Sequence, residues 1–307
     1  MGHLFRAINI YRELKRNNLS AVVVVIDGNP ESINWLSKND IFYELFSTAE
    51  TDYHLWESML ISKYNANVWI DDRIETNFTH ASRVKLCNIK LVTLDDSGEG
   101  ATLADLHIAP LLFIRGKPAN GKKVITDINY LILSPEIERY RRNRVHLEKI
   151  VVCLGGSDTY GVTINVINWL NFKGRNATVI LGPSFKHWHQ LDNIDLSHIK
   201  IKKSVDSLIE EFYLYDLAIT GGGITAFEAA ASGLPTLTIA NESWEIFHCN
   251  HLERLGCSVF CGHHNLINFQ TLDLDFNIQK LSVNALNFVT PVGVTKFIKE
   301  LRLLVAQ

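Results

Sequence analysis

Three consecutive glycines, Gly221, Gly222 and Gly223, follow an apolar run ending in Leu217, Ala218 and Ile219. They precede Ile224 to Ala231, a stretch of helical composition that Gly233, Leu234 and Pro235 stop. A glycine turn that opens a helix offers backbone N–H groups and the positive end of the helix dipole, which suits phosphate. A tight turn in an α/β domain is the plainer reading, and the stretch alone allows both. Gly155, Gly156, Ser157 and Asp158 repeat the arrangement after the strand-like run Ile150 to Leu154. Two such turns in one domain suit a diphosphate, with Ser157 as a further hydroxyl donor. Thr225 and Glu228 have the spacing of a capping box; the same carboxylate, one turn into the helix, could instead accept both hydroxyls of a ribose. Asn241 and Glu242 stand just past the next apolar strand, where a parallel sheet faces its ligands, or form an ordinary polar loop.

At the other end of the chain, Gly2-His3-Leu4-Phe5-Arg6 puts an imidazole at a helix start, with Arg6 one turn on. A histidine there can take a proton from an attacking hydroxyl or water, and the helix N-terminus favours its neutral form. Spacing alone equally describes a surface histidine on a frayed end. Asp71-Asp72-Arg73 and Asp95-Asp96-Ser97-Gly98-Glu99 could bind a metal or position a sugar, but neither has Asp-x-Asp spacing and turn residues are the stronger reading. His248, Cys249, His251, Cys257, Cys261, His263 and His264 crowd one region without a Cys-x-x-Cys knuckle, which points to core cysteines and polar histidines rather than zinc.

The elements that must position these groups read as βαβ units. Residues 1–16 carry Leu4, Ile8, Tyr11 and Leu14 at helical spacing. Ala21 to Ile26 is an unbroken aliphatic run, the pattern of a strand buried on both faces. Strands are expected at Val68 to Ile70 and Ile89 to Leu94, with helices around 32–37, 59–64 and 78–87 between them. Such a domain normally begins with a strand feeding its first glycine turn, so a further strand upstream of Met1 is expected. Gly116 to Lys123 reads as a loop, and Glu138 to His146 as a charged helical connector whose basic run is a solvated face. Contact with anionic lipid is its second reading, although it lacks the apolar face of a membrane-surface helix. A second α/β unit follows, with strands at Ile150, Ala177, Ile199, Leu217, Leu237 and Val259, a helix over 204–213, and a terminal helix over Val294 to Val305. Two domains are expected, 1–140 and 141–307, the second including the terminal helix.

The composition bounds the function. A chain of 307 residues, 47% hydrophobic and 21% charged, is an ordinary globular protein. A formal net charge of -3 argues against nucleic acid as a partner. Five scattered cysteines without a paired motif suggest reduced thiols and a cytoplasmic protein. No apolar run approaches the roughly 20 residues that span a bilayer.

Gly2-His3-x-x-Arg6, Gly155-Gly156-Ser157-Asp158, Gly221–Pro235 and Asn241-Glu242, in this order, resemble the SpsG-type glycosyltransferases of polysaccharide biosynthesis. Those are related to the pseudaminic-acid pathway hydrolase that releases UDP from a diacetamido-trideoxy sugar, and to the MurG transferase. The similarity includes Leu94–Asp105, Tyr130–Glu136 and Thr290–Gly293 and covers nearly the whole chain. It implies a GT-B-like α/β fold, two Rossmann-type domains whose parallel sheets face a central cleft. It also implies roles: His3 as catalytic base; Gly221, Gly222, Gly223 and Thr225 on the diphosphate; Glu228 on the ribose; and Asn241 as a polar cleft residue. The expected function is a nucleotide-sugar-dependent glycosyltransferase of surface-polysaccharide or glycoconjugate synthesis. It would use a UDP-sugar and an acceptor hydroxyl and need no metal or other cofactor. A UDP-sugar hydrolase, with water as acceptor, is the alternative, and a non-catalytic nucleotide-sugar-binding subunit the second. The hydrolases usually carry Asn-Gln where this chain has Asn241-Glu242, and Asp-His-Tyr where it has Asp71-Asp72-Arg73, which favours the transferase.

Overall fold

The computed structural model describes residues 2–28, 30–47, 56–203 and 205–306; the sequence readings at Met1 and Ser204 lie outside them. The chain divides into two units, Met1–Pro135 with Val292–Gln307, and Glu136–Pro291. The terminal helix expected in the second unit therefore belongs to the first.

In the first unit, helix α1 (Gly2–Arg16) leads to strand β1 (Val23–Ile26), α2 (Pro30–Lys38) and β2 (Tyr43–Phe46). Then come α3 (Trp56–Tyr64), β3 (Val68–Asp71), α4 (Phe78–Leu86), β4 (Lys90–Leu94), β5 (Leu106–Ile108), α5 (Pro110–Ile114) and β6 (Val124–Ile125). All pairings are parallel, but they form two separate sheets, β1–β2 and β3–β4–β5–β6. The alternation of short apolar strands with helices dictates this arrangement, because a parallel neighbour requires a crossover. β2, β5 and β6 were not foreseen.

The second unit carries β7 (Ile150–Cys153), α6 (Val162–Phe172), β8 (Ala177–Ile180), α7 (Trp188–Leu191), β9 (Ile199–Lys202) and α8 (Leu208–Tyr213). It continues with β10 (Leu217–Gly221), α9 (Ile224–Ala231), β11 (Thr236–Ala240), α10 (Glu245–Arg254), β12 (Ser258–His263) and α11 (Ile278–Phe288). Its six strands form one parallel sheet in the order β12-β11-β10-β7-β8-β9. The order reverses between β7 and β10. That is the doubly wound arrangement, whose ligand crevice lies outside the carboxyl ends of the strands flanking the reversal. β7, β10 and β11 are buried at every residue, as near-continuous aliphatic strands covered on both faces must be. α11 was not foreseen.

The final helix, α12 (Gly293–Val305), packs Phe297, Ile298 and Leu301 in one core cluster with Ile10 of α1, Val92 and Leu94 of β4, and Leu106 and Ile108 of β5. Its apolar stripe recurs every three to four residues, and burial against the four-stranded sheet explains why it returns to that unit.

The expected helix over Glu138 to His146 is instead a 3₁₀ stretch, Pro135–Tyr140, followed by irregular chain. Nor is the basic run a solvated face throughout. Arg144 is fully buried, and its guanidinium donates to the carbonyl oxygens of Phe212 (2.9 Å), Arg142 (2.8 Å), Tyr215 (3.3 Å) and Ser232. Arg142 donates to the carbonyls of Tyr213 and Tyr215, both at 2.8 Å, and pairs with Asp216 at 3.0 Å. These two arginines are consumed inside the second unit. Among the described residues, no helix is long and apolar enough to cross a membrane.

Candidate functional site

In the second unit, the loops after β7, β10 and β11 come together at the carboxyl edge of adjacent strands. β10 lies between the other two, with Thr220 paired to Cys153 and Gly221 to Ile239. The structure thus brings Gly155–Ser157, Gly221–Thr225 and Asn241 into one neighbourhood, directly at the reversal of strand order.

The triple glycine is not three equivalent donors. Gly222 is held from both sides: its N–H donates to Glu245 Oε2 at 3.2 Å, and its carbonyl oxygen faces His248 Nδ1 at 3.0 Å. Glu245 Oε2 also accepts the N–H of Asn241 at 2.7 Å. A side chain at Gly222 would lie 2.6 Å from Cys249 Sγ and 2.7 Å from Glu245 Cβ. Glycine is required there because α10 packs against the turn. The free donors start one residue on. Gly223 is the N-cap of α9 and no side chain caps it. Among the described residues, no intramolecular acceptor takes the N–H groups of Gly223, Ile224 or Thr225. Three unclaimed donors at the positive end of a helix make an anion site.

Replacing Gly222 with alanine should therefore destabilise the protein by about 1–3 kcal/mol through overpacking. The same change at Gly156, where a Cβ meets nothing within 4 Å, should leave thermal stability nearly unchanged. Parallel melts of the two variants check this, and equal melting temperatures would refute the role given to Gly222.

The capping-box reading of Thr225 and Glu228 fails, because the helix starts earlier, at Gly223, and both residues lie inside it. Glu228 is half-buried, and among the described residues no hydrogen bond or ion pair reaches its carboxylate. Burial alone pushes its pKa up to about 7. Glu245 is also raised, first by burial and against the pull of its backbone donors. Sequence reasoning missed Glu245; its one signal was a carboxylate at the start of the next helix, four residues past Asn241.

The Gly155 turn differs from expectation. Gly155 has φ +89, a conformation glycine accepts readily, and Gly156 and Ser157 are exposed. But the turn does not open α6 directly. Asp158 Oδ1 and Oδ2 accept the N–H groups of Val162 and Thr163, each at 2.9 Å, and occupy the helix end that a phosphate would need. Ser157 Oγ lies 3.0 Å from Thr159 Oγ1. The loop can contribute its own backbone and Ser157, not a second helix terminus.

Asn241 lies with its side chain against the glycine turn, and its Oδ1 is buried without a partner among the described residues. Glu242 accepts the Tyr160 hydroxyl at 3.1 Å, and Tyr160 stacks on His264 with ring centroids 3.9 Å apart. The polar-loop reading is thus too plain for this pair: one residue is aimed at the turn and the other ties three loops together.

In the first unit, His3 Nδ1 lies 2.6 Å from Asp72 Oδ1. The carboxylate fixes the proton on Nδ1 and leaves Nε2, which has no partner among the described residues, as the basic nitrogen. Arg6 grips the same carboxylate with Nε (2.8 Å) and Nη2, and reaches Asp95 Oδ2 with Nη1 (2.6 Å). Burial would raise the Asp72 carboxyl, but Arg6 and His3 overcome it and hold it below its usual value. Arg6 is held above its ordinary value by the same two carboxylates, against its own burial. Asp95 Oδ1 accepts the N–H of Leu111 (2.8 Å) and Leu112 (3.2 Å), tying the cluster to α5. The frayed-end reading of His3 and the turn-only reading of Asp72 and Asp95 both give way to this arrangement. Asp96 does behave as a turn residue, its Oδ1 accepting the N–H of Gly98 at 2.8 Å.

Among the described residues, no cluster of three or more His, Cys, Asp or Glu side chains could hold a metal ion. Cys153, Cys249 and Cys257 are buried and Cys261 is partly buried; burial pushes the thiols of Cys257 and Cys261 up to about 12.

No protein-family model matches the chain. An uncharacterized protein of Methanocaldococcus jannaschii is 25% identical over 280 aligned residues, covering 83% of this chain and 56% of its own length. The chain thus spans about half the length of the curated relative it matches. Among solved structures, MurG of Acinetobacter baumannii superposes with a TM-score of 0.72 at 11% identity, covering 98% of this chain and 96% of that one. HepE of Anabaena, in complex with UDP, gives 0.62 at 16% identity, covering 98% and 95%. MnaA of S. aureus, also with UDP, gives 0.63 at 13% identity, covering 100% and 95%. At these identities the likeness establishes the fold: parallel α/β, of the GT-B glycosyltransferase type.

Proposed function

We propose that the chain is a nucleotide-sugar-dependent glycosyltransferase of surface-polysaccharide or glycoconjugate synthesis that uses a UDP-linked sugar. The observation that carries this reading is the start of α9: three unclaimed N–H groups at the strand-order reversal of the second unit, one turn before an unpaired carboxylate. The N–H groups of Gly223, Ile224 and Thr225 receive the diphosphate and stabilise the charge that develops as it departs. Gly155, Gly156 and Ser157 close over it from β7. Glu228 accepts the ribose hydroxyls, and Asn241 Oδ1 gains a donor from the ligand. In the first unit, Asp72 orients His3 so that Nε2 deprotonates the acceptor hydroxyl attacking the anomeric carbon. Two neighbours of the same fold hold UDP, which supports the nucleotide.

Calorimetric titration with UDP tests the reading. At pH 8, where the carboxyl is ionised, Glu228→Ala should weaken binding by about tenfold or more, the value of hydrogen bonds to a charged acceptor; unaltered affinity would remove the ribose role. The shifted carboxyl adds a signature in the free protein. Its folded pKa, about 7, lies above the ordinary value of roughly 4.3. Below that ordinary value both states are protonated and the group contributes nothing. As pH rises toward 7 the unfolded carboxyl ionises first, so a penalty on the folded state grows and is complete above 7. Glu228→Gln escapes it. Its melting temperature should gain on the parent between pH 5 and pH 8, and a constant difference across that range would contradict the shift.

A further inference from the structure

Glu245 puts a negative charge beside the start of α9. It opens α10, is 7% exposed, and turns its carboxylate back over the glycine turn. The two oxygens are used differently. Oε2 accepts the N–H groups of Asn241 (2.7 Å) and Gly222 (3.2 Å). Oε1 has no partner among the described residues and lies 3.5 Å from where a side chain on Gly223 would begin. Beyond the chain neighbours of Gly223, no other atom comes within 4 Å of that point. Oε1 therefore borders the opening onto which the unclaimed N–H of Gly223 faces. Asp158, by contrast, spends both oxygens on N–H groups.

An ionised carboxylate bordering that opening would repel a diphosphate. No cation offsets it. Among the described residues, no lysine or arginine forms an ion pair with Glu245, and the charge that acts on it is that of Glu242, of its own sign. Residues 221–225 carry no ionisable side chain apart from backbone groups. The other titratable groups around the turn are three. His248 turns Nδ1 to the carbonyl oxygen of Gly222 at 3.0 Å. Cys249, whose Sγ lies against Gly222, is pushed by burial up to about 12. α9 contributes Glu228, itself raised by burial. The amino end of α10 favours an ionised Glu245, as do its backbone donors. Burial, with Glu242 behind it, outweighs them and holds the carboxyl above its ordinary value before any ligand arrives.

We propose that diphosphate binding at α9 is proton-linked: as the ligand arrives, Glu245 takes a proton from solvent onto Oε1 and donates it in a hydrogen bond to a phosphate oxygen. The inference rests on the reading of α9 as the diphosphate site. The proton belongs on Oε1, because Oε2 already accepts two N–H groups and would have to give one up. Protonation converts a repelling acceptor into a further donor beside the three N–H groups, and an O–H donor on an anionic oxygen makes a short, strong bond. A proton taken up on binding makes affinity fall as pH rises, and the linkage is reciprocal, so bound diphosphate raises the carboxyl further. A divalent cation bridging Oε1 and the phosphates would cancel the same repulsion, and the experiment separates the two.

Calorimetric titration with UDP at pH 8, in HEPES and in Tris, counts the protons, because the two buffers differ in ionisation enthalpy. At that pH Glu228 is already ionised, and so is the nucleotide, whose terminal phosphate titrates at about 6. About half to one proton should be taken up per UDP, and none in Glu245→Gln. Glutamine is the fixed counterpart of the protonated acid: its amide oxygen can accept from Asn241 and Gly222 while its amide NH₂ faces the ligand. Glu245→Gln should therefore bind UDP about tenfold or more tightly than the parent at pH 8, with the advantage shrinking toward pH 6. Should Glu245→Gln fail to fold, the proton count on the parent decides alone. UDP binding without proton uptake, or with the same pH profile in both proteins, would overturn the linkage and leave the diphosphate site standing. Affinity at pH 8 that EDTA abolishes would replace the proton by a cation. A parent that binds no UDP at any pH would remove the diphosphate reading itself, and the linkage with it.

Discussion

Replacing His3 with alanine should lower turnover on the order of 10²- to 10⁴-fold, the usual contribution of a positioned general base. Affinity for UDP should not change. The geometry sets this expectation. His3 is half exposed and packs little, so its loss costs little stability, but Nε2 is the one imidazole nitrogen left free once Asp72 has taken Nδ1. Asp72→Asn sharpens the test. An asparagine can still meet Nδ1, but it no longer compels a proton there, and Arg6 keeps only Asp95 as a charged partner. It should cost at least tenfold in turnover, and the pH profile should change with it. The assay is release of UDP from a panel of UDP-sugars, with and without acceptor. Full turnover in His3→Ala would remove His3 as the base. Rapid free-sugar release without acceptor would replace the transferase by a hydrolase, and a wild-type chain that binds UDP but turns over nothing would leave a binding subunit.

The second unit was far more legible in the sequence than the first, for a physical reason. β7, β10 and β11 are strands buried at every residue, and glycine closes the first two, so composition alone marks them. β2 is Tyr-Glu-Leu-Phe, half-buried at best, and β6 is two residues long; neither carries enough period to stand out. α11 hides because its buried face is thin, Ile278 and Ala285 with the polar Ser282 between them. Within the site, the glycine turns were visible but their hydrogen bonds were not. Whether Gly222 offers its N–H depends on Glu245, 23 residues on, and whether α6 can take an anion depends on where Asp158 points. His3 and Asp72 are 69 residues apart, and no local pattern joins them. Short spacings reveal which elements exist; pairings across the sheet decide which donors stay free.

Arg144 is where that long-range accounting should be most costly to disturb. Arg144→Met should destabilise the second unit by about 3 kcal/mol or more, lowering the melting temperature by roughly 6–12 °C for a unit of this size. The residue is fully buried and makes four carbonyl contacts. Those carbonyls include the end of α8 at Phe212 and the end of α9 at Ser232, where a cation also meets the negative end of each helix dipole. Methionine fills the volume but leaves several buried acceptors unpaired. Arg144→Lys keeps the charge without the fork and should recover only part of the loss. Burial, then the nearby Arg142, lowers the guanidinium to about 9, so it stays charged at neutral pH in both folded and unfolded states. The loss should therefore be flat from pH 6 to pH 8, unlike the effect at Glu228. Because the same arginine anchors the carboxyl end of α9, whose amino end offers the free N–H groups, Arg144→Lys should also weaken UDP binding. A variant that melts early but binds UDP with undiminished affinity at low temperature would uncouple the two ends of that helix.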